Sequence, residues 1–98
     1  MERPEINEKM LSDIKKSLRV THKYLDTDIE DIIIDGMAEI ESFAGKFDYE
    51  SYSISSRKAY KLLKVYCYYA WNDLVPDFQT DNRKDIISLQ TCVIQYGR

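Results

Sequence analysis

Histidine, cysteine, glycine and proline are all scarce in these 98 residues: one His, two Cys, three Gly and two Pro. Each shortage removes a class of protein. So few Gly and Pro argue against a turn-rich all-β chain, whose hairpins draw on those residues. A zinc site of Cys and His alone needs about four ligands, and Cys67, Cys92 and His22 make only three. The two cysteines have no short spacing, so they are expected to be reduced, small apolar fillers. His22 is expected to be solvated in a polar loop. No apolar run approaches the ~20 residues of a membrane span. The opening MERPEINEKM has no apolar signal region, and the expected place of the chain is the cytosol. There is no glycine-rich phosphate loop, no G-x-S-x-G elbow and no H-E-x-x-H pair. A Cys–His nucleophile would need activating neighbours, and Cys67 sits in an apolar stretch without them. The expectation is a protein with no catalysis, no metal and no cofactor.

What is present is globular. Apolar residues make up 44% and charged residues 32%, too apolar for a disordered chain. The length suits one domain, residues 1–98, with little stability to spare. The net charge of −3 hides an uneven distribution. Asp26–Glu50 holds nine acids and one base, a local net of −8. Ser56–Lys64 holds Arg57, Lys58, Lys61 and Lys64 and no acid. Opposite fields on two segments favour head-to-tail contact between copies, or a salt-laced surface. Four cations in an acidic chain fall short of a nucleic-acid footprint.

The chain is organised around Ala59–Val75, AYKLLKVYCYYAWNDLV. Ala59, Leu62, Leu63, Tyr66 and Ala70 recur at the steps of one helix face. The opposite side carries Tyr60, Val65, Tyr68, Trp71 and Val75, interleaved with Lys61, Lys64 and Asn72. A surface helix normally has one apolar stripe; this one has two. The surplus aromatics Tyr60, Tyr68 and Trp71 are to be covered by the first or last helix of the same chain, or by a neighbouring copy. Tyr and Trp suit the second role because each joins a large apolar area to a polar tip.

Around that stretch the pattern predicts an all-α fold of four helices, the second and third forming a central antiparallel pair. Met1–Ile6 reads as a loose lead-in. Asn7 caps a first helix over about Glu8–Leu18, with Leu11, Ile14 and Leu18 on its stripe. Such a short helix is marginal without tertiary packing. Val20–Asp26 reads as a loop. Thr27-Asp28-Ile29-Glu30 reads as a capping box, opening a second helix over about Asp28–Ala44. Gly45 ends it in a left-handed conformation. Gly36 lies on its apolar stripe, where glycine costs ~1 kcal/mol against Ala; close approach of another helix backbone would explain it, and a near-neutral accident is the alternative. Lys46–Ser55 reads as a loop, with Ser53, Ser55 or Ser56 capping the third helix. Pro76 stops that helix near Val75. Pro76–Asn82 reads as a loop, and Asp81 or Asn82 caps a last helix bearing Ile86, Leu89 and Val93. Thr91–Tyr96 alternates loosely, leaving helix and strand both open. Asp31, Asp35 and Glu39 stand at four-residue steps; with no histidine near and no calcium-loop pattern, they read as a solvated acidic face.

The order of these segments resembles the head–tail connector family of tailed phages, small adaptor proteins also known as phage DNA-packaging proteins. Lys16-Ser17-Leu18-Arg19-Val20 is similar to that family's "LRV/LRI" ending of the first helix. Leu25–Ile33 resembles the acidic start of its second helix, and Ile40-Glu41-Ser42-Phe43-Ala44-Gly45 its "yIe-x-x-tG" ending. Tyr66–Asp73 resembles its aromatic third helix, and Ser88-Leu89-Gln90 onward to Gln95-Tyr96 its C-terminal segment. His22, Lys23 and Tyr24 depart from it, since relatives are often simply acidic there. So do Asp73 and Leu74, which stand in place of a frequent arginine.

The resemblance implies a non-enzymatic virion protein at the head–tail junction, made in the bacterial host cytoplasm. Several copies, commonly twelve, form a ring under the portal protein, extend the DNA exit channel and meet a tail-completion protein. DNA passes through without sequence-specific binding, and no membrane is involved. Closed rings need heterologous contacts. On this reading Tyr60, Tyr68 and Trp71, with Lys61 and Lys64 facing a neighbour's acids, form the subunit contact. Asp31, Asp35 and Glu39 would face the channel and repel phosphates. The rival expectation is a small acidic regulatory module, antitoxin-like or an inhibitor of a host protein. A helical DNA-binding domain is a further rival that the acidic charge disfavours.

Overall fold

A computed structural model describes residues 6–98, which form five α-helices. They are α1 (Glu8–Leu18), α2 (Asp26–Ala44), α3 (Ile54–Trp71), α4 (Val75–Asp81) and α5 (Arg83–Tyr96), with one 3₁₀ turn at Lys23–Leu25. No strand occurs among the described residues. The all-α expectation holds. The expected four helices become five, because the Pro76–Asn82 segment is helical and not a loop. Proline at the first turn of α4 gives up an N–H that has no intrahelical partner there. Thr91–Tyr96 is helix. The lead-in Met1–Ile6 lies outside the described residues apart from Ile6, which packs on the core.

Local chemistry sets the helix ends. The Asn7 side chain accepts from Lys9 N–H at 2.7 Å and caps α1, as its position predicts. At the other end Arg19 is left-handed (φ 59°), and Val20 N–H donates to Lys15 O at 2.9 Å. α3 closes in the same way, at Trp71 and not Val75. Asp73 is left-handed (φ 57°), Asp73 N–H donates to Ala70 O at 3.2 Å, and Leu74 N–H donates to Tyr69 O at 2.7 Å. This is the paired termination usually given to glycine, so the helix has ended before Pro76 can act. Among the three candidate serines, Ser53 caps α3, accepting from Ser56 N–H at 3.2 Å. α2 starts two residues earlier than the expected Asp28. The 3₁₀ turn runs directly into α2 at Asp26, which places Thr27 inside the first turn.

Every helix contributes to one core. Ile14 of α1, Ile29, Ile33 and Ile40 of α2, Leu63 and Cys67 of α3, Phe78 of α4 and Leu89 of α5 are buried almost completely. α3 packs against all four other helices. Its second apolar face is therefore met in large part within the chain. α2 approaches α3 at Gly36. A Cβ there would lie 2.7 Å from Leu63 Cδ1 and 2.8 Å from Tyr66 Cδ1. The expected approach of a helix backbone is not what fills this space; the Leu63 and Tyr66 side chains do. The C-terminal residues lock the other end. Arg98 Nε donates to Ala44 O at 3.0 Å, at the negative end of α2. Ser55 Oγ donates to Gly97 O, and Ser53 Oγ to Arg98 O at 3.2 Å. The last residues thus tie the end of α2 to the start of α3.

Candidate functional site

A cleft of about 650 Å³ lies between α1, the 46–53 segment and the first half of α3. Its positive edge comes from one side of α3. Arg57, Lys61 and Lys64 follow at steps of four and three, which keep them on one helix face; Lys58 stands beside them and Lys9 faces them from α1. The aromatic walls are Tyr60 of α3 with Tyr49 and Tyr52 of the loop. Two acids also line the cleft, and both have partners. Asp13 accepts from Tyr60 Oη at 3.0 Å, and Glu50 accepts from the Asn7 side-chain amide. Several cations are held in place. Lys58 Nζ donates to Ser88 Oγ at 3.1 Å, and Lys64 Nζ lies 4.9 Å from the centre of the Tyr60 ring. That last distance is within cation–π range.

The tyrosines of the cleft keep their protons. Burial pushes Tyr49 up to about 12, aided by the Glu41 carboxylate. Tyr60 is raised further, by burial first and then by its hydrogen bond to Asp13. At neutral pH both rings are neutral, and Tyr60 donates to Asp13.

The five residues expected at a subunit contact separate into two places. Tyr60, Lys61 and Lys64 line the cleft. Tyr68 and Trp71 sit at the far end of α3. Tyr68 is 53% exposed, while Trp71 is partly buried against the core. Tyr68 lies near the exposed Leu74 and Val75 in sequence, past the bend at Asp73. The three acids expected to act together form one row on α2. Asp31 and Asp35 are exposed, and Glu39 is half-buried and accepts from the Gln79 side chain of α4. Asp35 and Glu39 also raise Tyr66, whose own burial is the larger cause.

Lys9, Tyr49 and Tyr52 enter the cleft without any sequence signal for it, since they lie on separate segments. Arg57 and Lys58 belong to the basic run that the sequence displays, and only the fold places them on a concave surface. Both cysteines are buried and free, as expected. Burial pushes the Cys67 thiol up to about 12, so at neutral pH it is an unreactive filler. His22 is exposed beside Tyr24, with ring centres 5.2 Å apart. No group of three or more His, Cys, Asp or Glu among the described residues is placed to hold a metal ion. Among the described residues no helix is long and apolar enough to cross a membrane.

No protein-family model matches the chain, and neither a curated protein nor a solved structure matches it.

Proposed function

We propose that the chain is a non-enzymatic structural protein of a phage or prophage, acting as the head–tail connectors it resembles. In this reading several copies form a ring beneath the portal protein, extend the DNA exit channel and present a surface to a tail-completion protein. α1, α2, α3 and α5 correspond to a four-helix domain with α2 and α3 as its antiparallel centre, and α4 is a short addition. The segments that carry the resemblance coincide with helix ends: Lys16–Val20 closes α1, Ile40–Gly45 closes α2 and Tyr66–Asp73 closes α3.

One observation carries the proposal. α2 bears seven acids and no base, while α3 bears four bases and no acid. A chain with opposite fields on two helices is suited to heterologous contacts, which close into rings. The magnitude matters. An exposed ion pair contributes roughly 0.2–1 kcal/mol, and a millimolar Kd already needs about 4 kcal/mol. A few such pairs do not hold free copies together in dilute solution. The proposal therefore includes a template: the portal gathers copies that are monomeric alone.

Light scattering of the chain, alone and mixed with a portal protein of the same phage or prophage, tests this. The expected result is a monomer alone and a high-mass complex with the portal. A monomer under both conditions overturns the proposal. A tight one-to-one complex with a host protein in its place favours the acidic regulatory module.

A further inference from the structure

We infer that the cleft between α1, the 46–53 segment and α3 is the receptor for the acidic face of α2 from a second copy. The inference rests on the oligomeric reading above and names the surfaces that meet. The charge match comes first. Five cations and two acids line the cleft, and both acids already accept hydrogen bonds from within the chain. A binding partner therefore has to be negative, and α2 is the most acidic element of the molecule.

Register comes next. Arg57, Lys61 and Lys64 advance by four and then three residues along α3. Asp35, Asp31 and Asp28 retreat by four and then three along α2. Two helices laid antiparallel would set Arg57 against Asp35, Lys61 against Asp31 and Lys64 against Asp28. Each row spans seven residues, roughly 10 Å at the helical rise. Reversing the direction puts the spacings out of step.

The two rows also face outward. Within one chain α2 meets α3 through Gly36 against Leu63 and Tyr66. Asp28, Asp31, Asp35, Arg57 and Lys61 are exposed, and Lys64 is half-buried over Tyr60. Tyr52, 81% exposed at the rim, offers apolar area to the incoming helix. Because receptor and ligand are different surfaces of one molecule, each bound copy still offers an open cleft or an exposed acidic row to a further copy. That makes the contact heterologous and able to propagate.

A charge swap tests this. One variant carries Arg57→Glu, Lys61→Glu and Lys64→Glu; the other carries Asp28→Lys, Asp31→Lys and Asp35→Lys. Circular dichroism first confirms that both are helical. Carbodiimide then joins lysines to carboxylates at contact, in millimolar protein at low salt, with isotope labels marking links between copies. Wild type is expected to give links between α3 lysines and α2 acids of different copies. Each variant alone is expected to give none between these rows, since one variant sets carboxylate against carboxylate and the other cation against cation, and the mixture is the deciding measurement. An equimolar mixture restores linking, because each variant supplies the surface complementary to the other. No such links in wild type, or no links between α3 carboxylates and α2 lysines of different copies on mixing, overturns the inference. So does binding of a labelled oligonucleotide or acidic peptide to the cleft without links between copies. Assembly on the portal is read separately, so loss of this contact leaves the connector proposal standing or falling on its own assay.

Discussion

Tyr60 donates its phenolic hydrogen to Asp13 Oδ2 over 3.0 Å, joining α3 to α1 of the same chain. An aromatic that the sequence offers for contact between copies thus also holds the monomer together. Tyr60→Phe keeps the ring under Lys64 and removes this bond. A hydrogen bond to a charged group is worth about 1.5–3 kcal/mol, and the half-exposed site puts the loss near the lower value. For a domain of this size that lowers Tm by roughly 6–10 °C. Thermal denaturation followed at 222 nm checks it. An unchanged Tm means that water serves Asp13 equally well.

Gly36→Ala sets two effects against each other. Helix propensity gains about 1 kcal/mol. The new methyl would meet Leu63 and Tyr66 at 2.7 and 2.8 Å, and overpacking costs about 1–3 kcal/mol. Both neighbours are buried in the core, so neither has room to swing away. The expected net result is a loss of about 1 kcal/mol and a lower urea midpoint with an unchanged slope. A stabilised Gly36→Ala variant would show that α2 and α3 can separate at little cost.

Phe78 is the buried anchor of α4. Its ring meets Tyr66 edge-on at 5.1 Å and Tyr69 at 5.8 Å. Phe78→Ala is expected to cost about 3–5 kcal/mol. A helix of seven residues does not persist without packing. Amide exchange should therefore speed up first over Val75–Asp81, ahead of the α2 and α3 core. Uniform acceleration across all helices would mean that α4 unfolds only with the whole domain.

Alkali should destabilise the fold through groups kept protonated by burial. Cys67 ordinarily loses its proton at 9.0 and is pushed up to about 12 in the fold. Tyr49 moves from 10.0 to about 12, and Tyr66 is raised as well. Above pH 9 the unfolded chain releases these protons while the folded chain retains them. Fewer protons on the unfolded state means that stability falls with rising pH. The contribution is whole below about pH 9 and is lost between pH 9 and 12. Tm measured from pH 8 to 11 should fall steadily. Cys67→Ala should flatten the part of the decline that begins near pH 9, at the cost of a small cavity.

Much of this structure is legible in the residue order. Periodicity alone locates α1, the body of α2 and the centre of α3, because an amphipathic helix writes its burial at three- and four-residue steps. Asn7 and Ser53 declare helix starts, and Gly45 declares an end with its positive φ of 87°. The segregation of acids onto α2 and bases onto α3 is likewise a property of the sequence, since it needs no knowledge of where the helices lie.

Other features were decided only by tertiary contact. α4 carries a proline and a single buried anchor, so its helicity depends on Tyr66 and Tyr69 being present to receive Phe78. The end of α3 at Trp71 follows from a left-handed Asp73, a conformation that asparagine or glycine would have signalled more clearly. Two faces of α3 read as a surplus because local pattern cannot count how many helices will gather around one. The fold brings four, and so divides the expected contact residues. Tyr60, Lys61 and Lys64 join Lys9, Tyr49 and Tyr52 in a cleft, while Tyr68 stands exposed at the other end. Charge and amphipathicity are written locally, residue by residue. Concavity arises where segments distant in sequence meet, and only the packed chain can make it.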